Sequence, residues 1–447
     1  MATKKDLIEA QGFSRRRLLS AFTSGAPGGK ELEPAAPLRA VLAGVVLSAM
    51  VILAGVFFGL LRPGLPAGWE DNTLVLVKDS GARYLSIDSV LYPVINTASA
   101  RLLMPSGEFK VVTTDKDTLD GIEIGSTIGI LGAPDDIPGP DALINDNWTG
   151  CVLPDSLTSV TLPNSRIATP VDEASVVELN DRLYVVAGNT RYEVAAEDAD
   201  AVLRSVGLNA ASAVEVDDRW LNLFEEGEAF SPLVTTNAGD PLKGTDFVIG
   251  AAVHQTGDPD DTRYLITADG TLSPLSPLAY QLYLLGSGAL LGGEQEVSPA
   301  DTAKLPTSEA AGGADWPLEP LSALPSDAAA CAVLGHNDAG EPTTSFATLV
   351  DDERVLEEGL SVSVGGGALV RVGGSSADGN GLVYLIDESG TAYPVPGADS
   401  DLIGRLGYEM SDVDLIPQAW LQFLPAGPEL TVDAAGSSPE PVAAVGK

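Results

Sequence analysis

The chain is poor in the residues that do most enzyme chemistry. Its 447 residues include two histidines and two cysteines. Two cysteines cannot build a zinc finger or a disulfide-dense scaffold, and two histidines leave little for a His-based metal or catalytic centre. Cations are also scarce: 25 Lys and Arg stand against 63 Asp and Glu, a formal net charge of −38. Phosphate affinity comes from Lys and Arg, so this balance argues against generic nucleic-acid binding. Also absent are a G-x-S-x-G nucleophile elbow and a phosphate loop. The nearest approach to the latter, Ser24 to Glu31 (SGAPGGKE), has Ser where the first Gly belongs and Glu where Ser or Thr belongs.

Other chemical candidates are weak. His254 lies in the strand-like run VIGAAVHQT, and His336 is near Asp338 with no nucleophile paired to it. Asp258, Asp260 and Asp261, and the pair Asp135 and Asp136, lack the D-x-D-x-D-G spacing of a calcium loop and read as solvated acidic loops. Gly365-Gly366-Gly367 and Gly373-Gly374 have no lysine nearby and read as backbone turns. No catalytic, cofactor or metal residue is assigned.

What the chain does have is a long apolar run. Ala40 to Leu61 carries no charge and is bracketed by Arg39 and Arg62. At about 1.5 Å per residue it spans roughly 33 Å, enough for a bilayer core. Core helices rarely run so long without a polar face. Ahead of it Lys4, Lys5, Arg15, Arg16, Arg17, Lys30 and Arg39 oppose Asp6, Glu9, Glu31 and Glu33. The positive-inside rule then predicts a single-pass plasma-membrane protein, N-terminus in the cytoplasm and the bulk outside. The competing reading is a cleaved signal, since Phe13 to Leu19 (FSRRRLL) looks like a twin-arginine motif. Against it, the motif is separated from the apolar run by Lys30, Glu31, Glu33, Pro34 and Pro37, and no A-x-A site follows. Thr3 with Asp6 resembles a capping box, so residues 1–39 are expected to hold a basic helix. It either rests on the inner leaflet or docks through Arg15, Arg16 and Arg17 on a cytoplasmic partner.

Beyond the run, four stretches share a strand-turn-strand pattern: Tyr84–Val94, Leu183–Val194, Tyr264–Leu275 and Tyr384–Val395. Asp269-Gly270 and Ser389-Gly390 are hairpin turn signals. Longer copies place Gly207 and Trp220-Leu221 in step with Gly407 and Trp420-Leu421, which makes both tryptophans candidate core residues. The expected fold is α+β: an elongated, β-rich array of about four hairpin-plus-helix repeats around a central region. A first repeat-like unit occupies 62–130, and the central region and further repeats occupy 131–425. Residues 131–147 and 286–325 read as linkers and 426–447 as a disordered tail. Outside the cytoplasm, a disulfide between Cys151 and Cys331 is the simplest state; two buried free thiols are the alternative. The bridge would link the ends of the repeat array.

These residues resemble a known family. MATKKDLIEAQGFSRRRLLSAF, then one span, then LVKDSGARYLSIDSVLYPVINTASARLLM are similar to EccB, a membrane component of the actinobacterial type VII (ESX) secretion system. Ile128-Gly129-Ile130, Gly132-Ala133-Pro134-Asp135 and Trp148-Thr149-x-Cys151 extend the match, and Leu91–Leu102 is its most specific part. Cys331 falls where the family's pairing would want it. The resemblance implies one membrane helix and a large extracytoplasmic part of four repeats with a disulfide. It also implies assembly with EccC-, EccD- and EccE-like components and a mycosin protease, hexameric in the full form. Some EccB-like proteins are labelled ATPases, so ATP enters only by that label. The expected role is structural: anchoring and organising the outer face of a secretion complex while a partner motor supplies energy. An extracytoplasmic nucleotide hydrolase and an envelope- or substrate-binding module are the alternatives.

Overall fold

The computed structural model describes residues 4–24, 38–60, 65–258, 262–351, 356–373 and 380–439. They form two compact units, Met1–Pro66 and Ala67–Lys447. The first unit holds two helices, α1 (Lys4–Ser24) and α2 (Leu38–Leu60). Among the described residues no helix is long and apolar enough to cross a membrane. The described side chains of α2 run over 40–55, about 24 Å of helix, and Leu61 lies outside the described residues. Val41, Leu42, Val45, Leu47, Val51 and Leu53 on α2 are each more than half exposed.

The second unit is five sheets. Module 1 comprises β1 (Thr73–Val77), β2 (Arg83–Ile87), β3 (Val90–Pro93), α3 (Thr97–Leu103) and β4 (Lys110–Thr114). Its sheet order is β3-β2-β1-β4, a meander whose helix carries the chain across to a parallel return strand. The TLVLV run of β1 is buried almost throughout because strands flank it on both sides. Asn96 starts α3 by accepting the Ser99 N–H at 3.0 Å.

Three strands of the central sheet follow: β5 (Thr149–Val152), β6 (Thr158–Leu162) and β7 (Ala168–Pro170). Module 2 has β8 (Ala174–Leu179), β9 (Arg182–Ala187), β10 (Thr190–Glu193), α4 (Ala199–Ser205), β11 (Val214–Glu215), α5 (Asp218–Leu221) and β12 (Glu225–Glu226). Module 3 has β13 (Ala252–Gln255), β14 (Arg263–Ile266), β15 (Leu272–Leu275), α6 (Pro277–Leu285), α7 (Ser287–Leu291), β16 (Gln295–Val297) and the single turn α8 (Pro299–Thr302). The chain then returns to the central sheet with β17 (Cys331–His336), β18 (Pro342–Leu349) and β19 (Gly359–Val362). Module 4 closes with β20 (Ala368–Val372), β21 (Leu382–Ile386), β22 (Ala392–Val395), α9 (Ser400–Leu406), β23 (Asp414–Leu415) and α10 (Val432–Ala435).

Modules 3 and 4 repeat the order of module 1, as β15-β14-β13-β16 and β22-β21-β20-β23. Module 2 has it with β12 added beside β10. The four sequence hairpins are the second and third strands of these sheets. The first strand was missed although in module 2 Asn180 and Asp181, both at positive φ, turn β8 directly into β9; the parallel return strand is reached only after a helix, with no turn to mark it.

The central sheet reads β19-β6-β5-β17-β18-β7. Exchanging β5 with β17 and β6 with β18 returns the same order and the same antiparallel pairings, so the four inner strands are related by a pseudo-twofold between β5 and β17; the edges break it, because β19 runs parallel to β6 and β7 antiparallel to β18. The modules obey it too. α3 of module 1 packs on α9 of module 4, and α4 of module 2 on α6 of module 3. The core of the sheet is aromatic: Trp148, Trp220 and Trp420 are fully buried, the last two as their matched spacing leads one to expect. Each indole N–H is satisfied, Trp148 by the Ile144 carbonyl at 2.6 Å, Trp220 by the Gly150 carbonyl at 2.9 Å and Trp420 by Thr344 Oγ1 at 3.0 Å.

Three expectations need correction. Residues 131–147 are a strap on module 4, not a loose linker. Ile137 is buried in that module's core, the Tyr408 hydroxyl donates to the Pro138 carbonyl at 2.6 Å, and Asn145 bonds Leu369 and Asp412. The 286–325 stretch likewise holds α7, β16 and α8 and delivers Trp316 to the core of module 2, its indole bonded to the Glu228 carbonyl. The tail is ordered from 426 through 439: Ala426 bridges Ala392, Leu430 is fully buried, and α10 packs on α3. In all three, sparse apolar residues find partners far away in sequence, which local periodicity cannot reveal. Residues 440–447 lie outside the described residues.

Truncating Trp420 to Ala should cost about 3–5 kcal/mol, read as a fall in the urea midpoint of the 67–447 part. Trp316→Ala, 9% exposed against 0% for Trp420, should cost less.

Candidate functional site

The two cysteines meet at the centre of the molecule. Cys151 on β5 and Cys331 on β17 are direct cross-strand partners, joined by a disulfide with Cα atoms 4.0 Å apart. The next pair along is hydrogen-bonded, Val152 N–H to the Ala330 carbonyl at 2.9 Å. The cysteines therefore occupy a non-hydrogen-bonded position, where facing Cα atoms come closest. Both are buried, packed with Ala168, Val333, Ala347 and Leu349. The bond links neighbouring strands across the pseudo-twofold; it does not link the ends of the array, as expected from sequence. It closes a separation of 180 residues, for which chain entropy gives about 5 kcal/mol.

The other sequence candidates are scattered. Arg15, Arg16 and Arg17 are exposed on α1, as is Ala40 on α2. His254 is on β13 opposite Arg263. His336 Nε2 lies 3.2 Å from Asp414 Oδ1 on β23, not beside Asp338. Asp135 pairs with Arg83, and Asp258 accepts from the Thr262 N–H at 3.3 Å. Asp260 and Asp261 lie outside the described residues. Among the described residues no group of three or more His, Cys, Asp or Glu could hold a metal ion. Of the phosphate-loop near match, residues 25–31 lie outside the described residues.

The glycine run has a packing explanation. Gly365 turns the chain at φ +70, a conformation costly to other residues. A Cβ on Gly366 would stand 2.7 Å from Ile144 Cδ1, and one on Gly367 2.3 Å from the Ile386 carbonyl. The run lets the strap lie against β20. Between the strap, the connection from β6 to β7 and the glycine turn is an open cleft of ≈ 400 Å³, lined by Asp141, Asp146, Asn147, Asn164, Arg166 and Gly365 among others. Arg166 Nε donates to Asn147 Oδ1 at 3.0 Å. With Asp141 and Asp146 in the same lining, the cleft is a poor host for a triphosphate.

Burial shapes the tyrosines. Desolvation, then the hydrogen bond to Asp387 Oδ2 at 2.9 Å, pushes Tyr393 up to about 12. Burial also raises Tyr408, Tyr192 and Tyr283. These are structural phenols held neutral.

One disulfide-closed sheet with four small modules clamped around it is the architecture of a scaffold. The family described as type VII secretion system ESX-1, transport TM domain B, matches residues 1–444. The chain belongs to this family, EccB. The ESX-3 secretion system ATPase EccB3 of Mycobacterium tuberculosis H37Rv is 25% identical over 449 residues, 88% of this chain and 81% of that protein. The protein of the same name from Mycolicibacterium smegmatis is 24% identical over 440 residues, 88% and 83%. Among solved structures, a chain of the EccB3 dimer from the ESX-3 core complex superposes with a TM-score of 0.66 at 23% identity, covering 82% of this chain and 100% of that one. A chain of an intact ESX-5 inner membrane complex gives 0.65 at 19%, covering 100% and 97%. At these identities the structures show that the fold is shared.

Two outcomes are expected. Replacing Cys151 and Cys331 with Ala should lower stability by about 2–5 kcal/mol, measured by denaturant unfolding against the oxidised protein. Raised tyrosines favour the protonated native state. Their contribution is intact below pH 10 and is lost as pH climbs from 10 through about 12. The urea midpoint should hold up to pH 10 and fall above it, and Tyr393→Phe should make that fall shallower.

Proposed function

We propose that the protein is a structural membrane component of a type VII secretion complex. It anchors and organises the extracytoplasmic face of that complex, and a partner motor supplies the energy. The observation that carries this reading is the family match across α1, α2 and all five sheets, residues 1–444.

In this reading α2, continued by sequence to Leu61, is a single membrane span from Ala40. The uncharged 22-residue run from Ala40 to Leu61, bracketed by Arg39 and Arg62, supports this. Residues 1–39 are cytoplasmic, by the excess of Lys and Arg on that side, and the four modules are copies of one repeat outside. Arg15, Arg16 and Arg17, exposed on α1, form a cytoplasmic docking face. A lone helix cannot make a channel, so transport requires partners: EccC-, EccD- and EccE-like components and a mycosin protease, in a hexameric assembly. The word ATPase belongs to the relatives' names. For this chain, ATP as ligand has no supporting site among the described residues, and we assign no cofactor.

The test is mild-detergent purification of the tagged full-length protein from its native membrane, with mass spectrometry of what accompanies it. A motor ATPase and a polytopic membrane protein should be recovered stoichiometrically. Reversing Arg15–Arg17 to Glu should reduce that recovery severalfold. A solitary protein whose ATP hydrolysis survives further purification would overturn the scaffold reading.

A further inference from the structure

The pseudo-twofold makes two module junctions equivalent by topology, yet they are built differently. Modules 2 and 3 share one continuous apolar core. Val176, Val185, Val202 and Leu203 pack in the same cluster as Leu278 and Leu282. Main-chain bonds reinforce it, Leu233 N–H to the Leu282 carbonyl and Ser287 N–H to the Leu233 carbonyl, both at 3.0 Å.

Modules 1 and 4 do not share a core in this way. Module 1 keeps its own cluster of Leu74, Leu85, Val94, Ala100, Met104 and Ile128. From its side α3, through Ala98, Leu102 and the half-buried Leu103, enters the core of module 4 together with Ile130 and Ala133, and Leu103 also packs on module 1's own cluster. The rest of the junction is the strap, bonded to module 1 by the Ala98 N–H to the Pro134 carbonyl at 3.3 Å and by Arg83 with Asp135, and a polar clasp. Arg101 Nη1 donates to the Leu406 carbonyl at the end of α9 at 2.7 Å, and Arg405 Nη1 donates to the Leu102 carbonyl near the end of α3 at 3.1 Å. Each arginine caps the other helix, where the dipole favours a cation. Arg101 lies over the Phe109 ring at 4.7 Å, but its buried Nε has no hydrogen-bond partner among the described residues, an unfavourable feature of the closed state. α10 completes the clasp, with Gly129 N–H bonded to the Ser437 carbonyl at 3.1 Å.

We infer that module 1 is a hinged element, held against module 4 by the Arg101–Arg405 clasp and α10, and able to part from it while the central sheet and modules 2 and 3 stay folded. Junctions of few apolar contacts and main-chain bonds open at lower free energy than a shared core. Opening would unclasp α10 and free both helix ends without breaking any of the five sheets.

Hydrogen exchange on the full-length protein in detergent, followed by mass spectrometry, tests this. Segments 125–131 and 429–438 should exchange about tenfold or more faster than 230–236 and 276–288. Arg101→Gln with Arg405→Gln should widen the gap and leave 331–336 unchanged. A Cβ built on Gly404 lies 3.0 Å from Ser106 Cβ. A disulfide between Ser106→Cys and Gly404→Cys, formed after a small backbone shift to the Cβ separation of about 3.5–4.5 Å that the bond needs, should slow 429–438 to the rate of the other junction. Equal rates at the two junctions of the unaltered protein, or a cross-link without effect, would overturn the inference.

Discussion

The architecture of residues 67–439 depends on one strand pairing, β5 against β17. Those strands bring together positions 180 residues apart and sit at the middle of the central sheet, so every other strand of that sheet is placed by reference to them. The disulfide covalently fixes the register at Cys151 and Cys331, and the tryptophans of modules 2 and 4 close over that sheet. Without this pair, the four modules would be small sheets of four or five strands with no common reference. Such sheets are marginal alone, because a few short strands and one helix bury too little apolar surface to offset the ordering of the chain.

Much of this was legible in the sequence because the signals were local. Hairpins announce themselves through Asp269-Gly270 and Ser389-Gly390, and the apolar run at residues 40–61 through its length. The matched Trp220 and Trp420 marked the core by spacing. What stayed hidden was non-local. The return strands β11 and β23 and the added strand β12 are two residues long, too short for any periodicity. The straps at 131–147 and after α8 look like linkers because they contribute one or two buried residues at a time, such as Ile137 and Trp316. His336 was read against its sequence neighbour Asp338, whereas its partner, Asp414, comes from another module. The disulfide was predictable as a bond, though not in its position on the pseudo-axis, which requires knowing the sheet order.

Charge and polarity then divide the labour. The excess of acid is carried on loops and exposed strand faces, where it keeps a large body soluble. Polar atoms act as spacers and caps: inside, Asn96 on α3 and Asn145 between β20 and the turn before β23; at the surface, Asp399 on α9. Nothing in that pattern concentrates reactivity at one point. It distributes rigidity over many short elements, as a part that holds other parts in place requires.

The nesting of the modules also sets an order of events during synthesis. Module 1 is the first of the four to emerge, but its helix α3 is completed by α9 and α10, near the far end of the chain. β5 and β6 must likewise wait for β17 before the sheet has a centre. A chain delivered from its N-terminus thus carries an unfinished first module and an open sheet edge until nearly all of it has arrived. Long-range pairing of this kind is slow and leaves edges exposed to wrong partners. In effect, the arrival of α9 and α10 is a check on synthesis: a chain that stops before them leaves its first-made module unclosed.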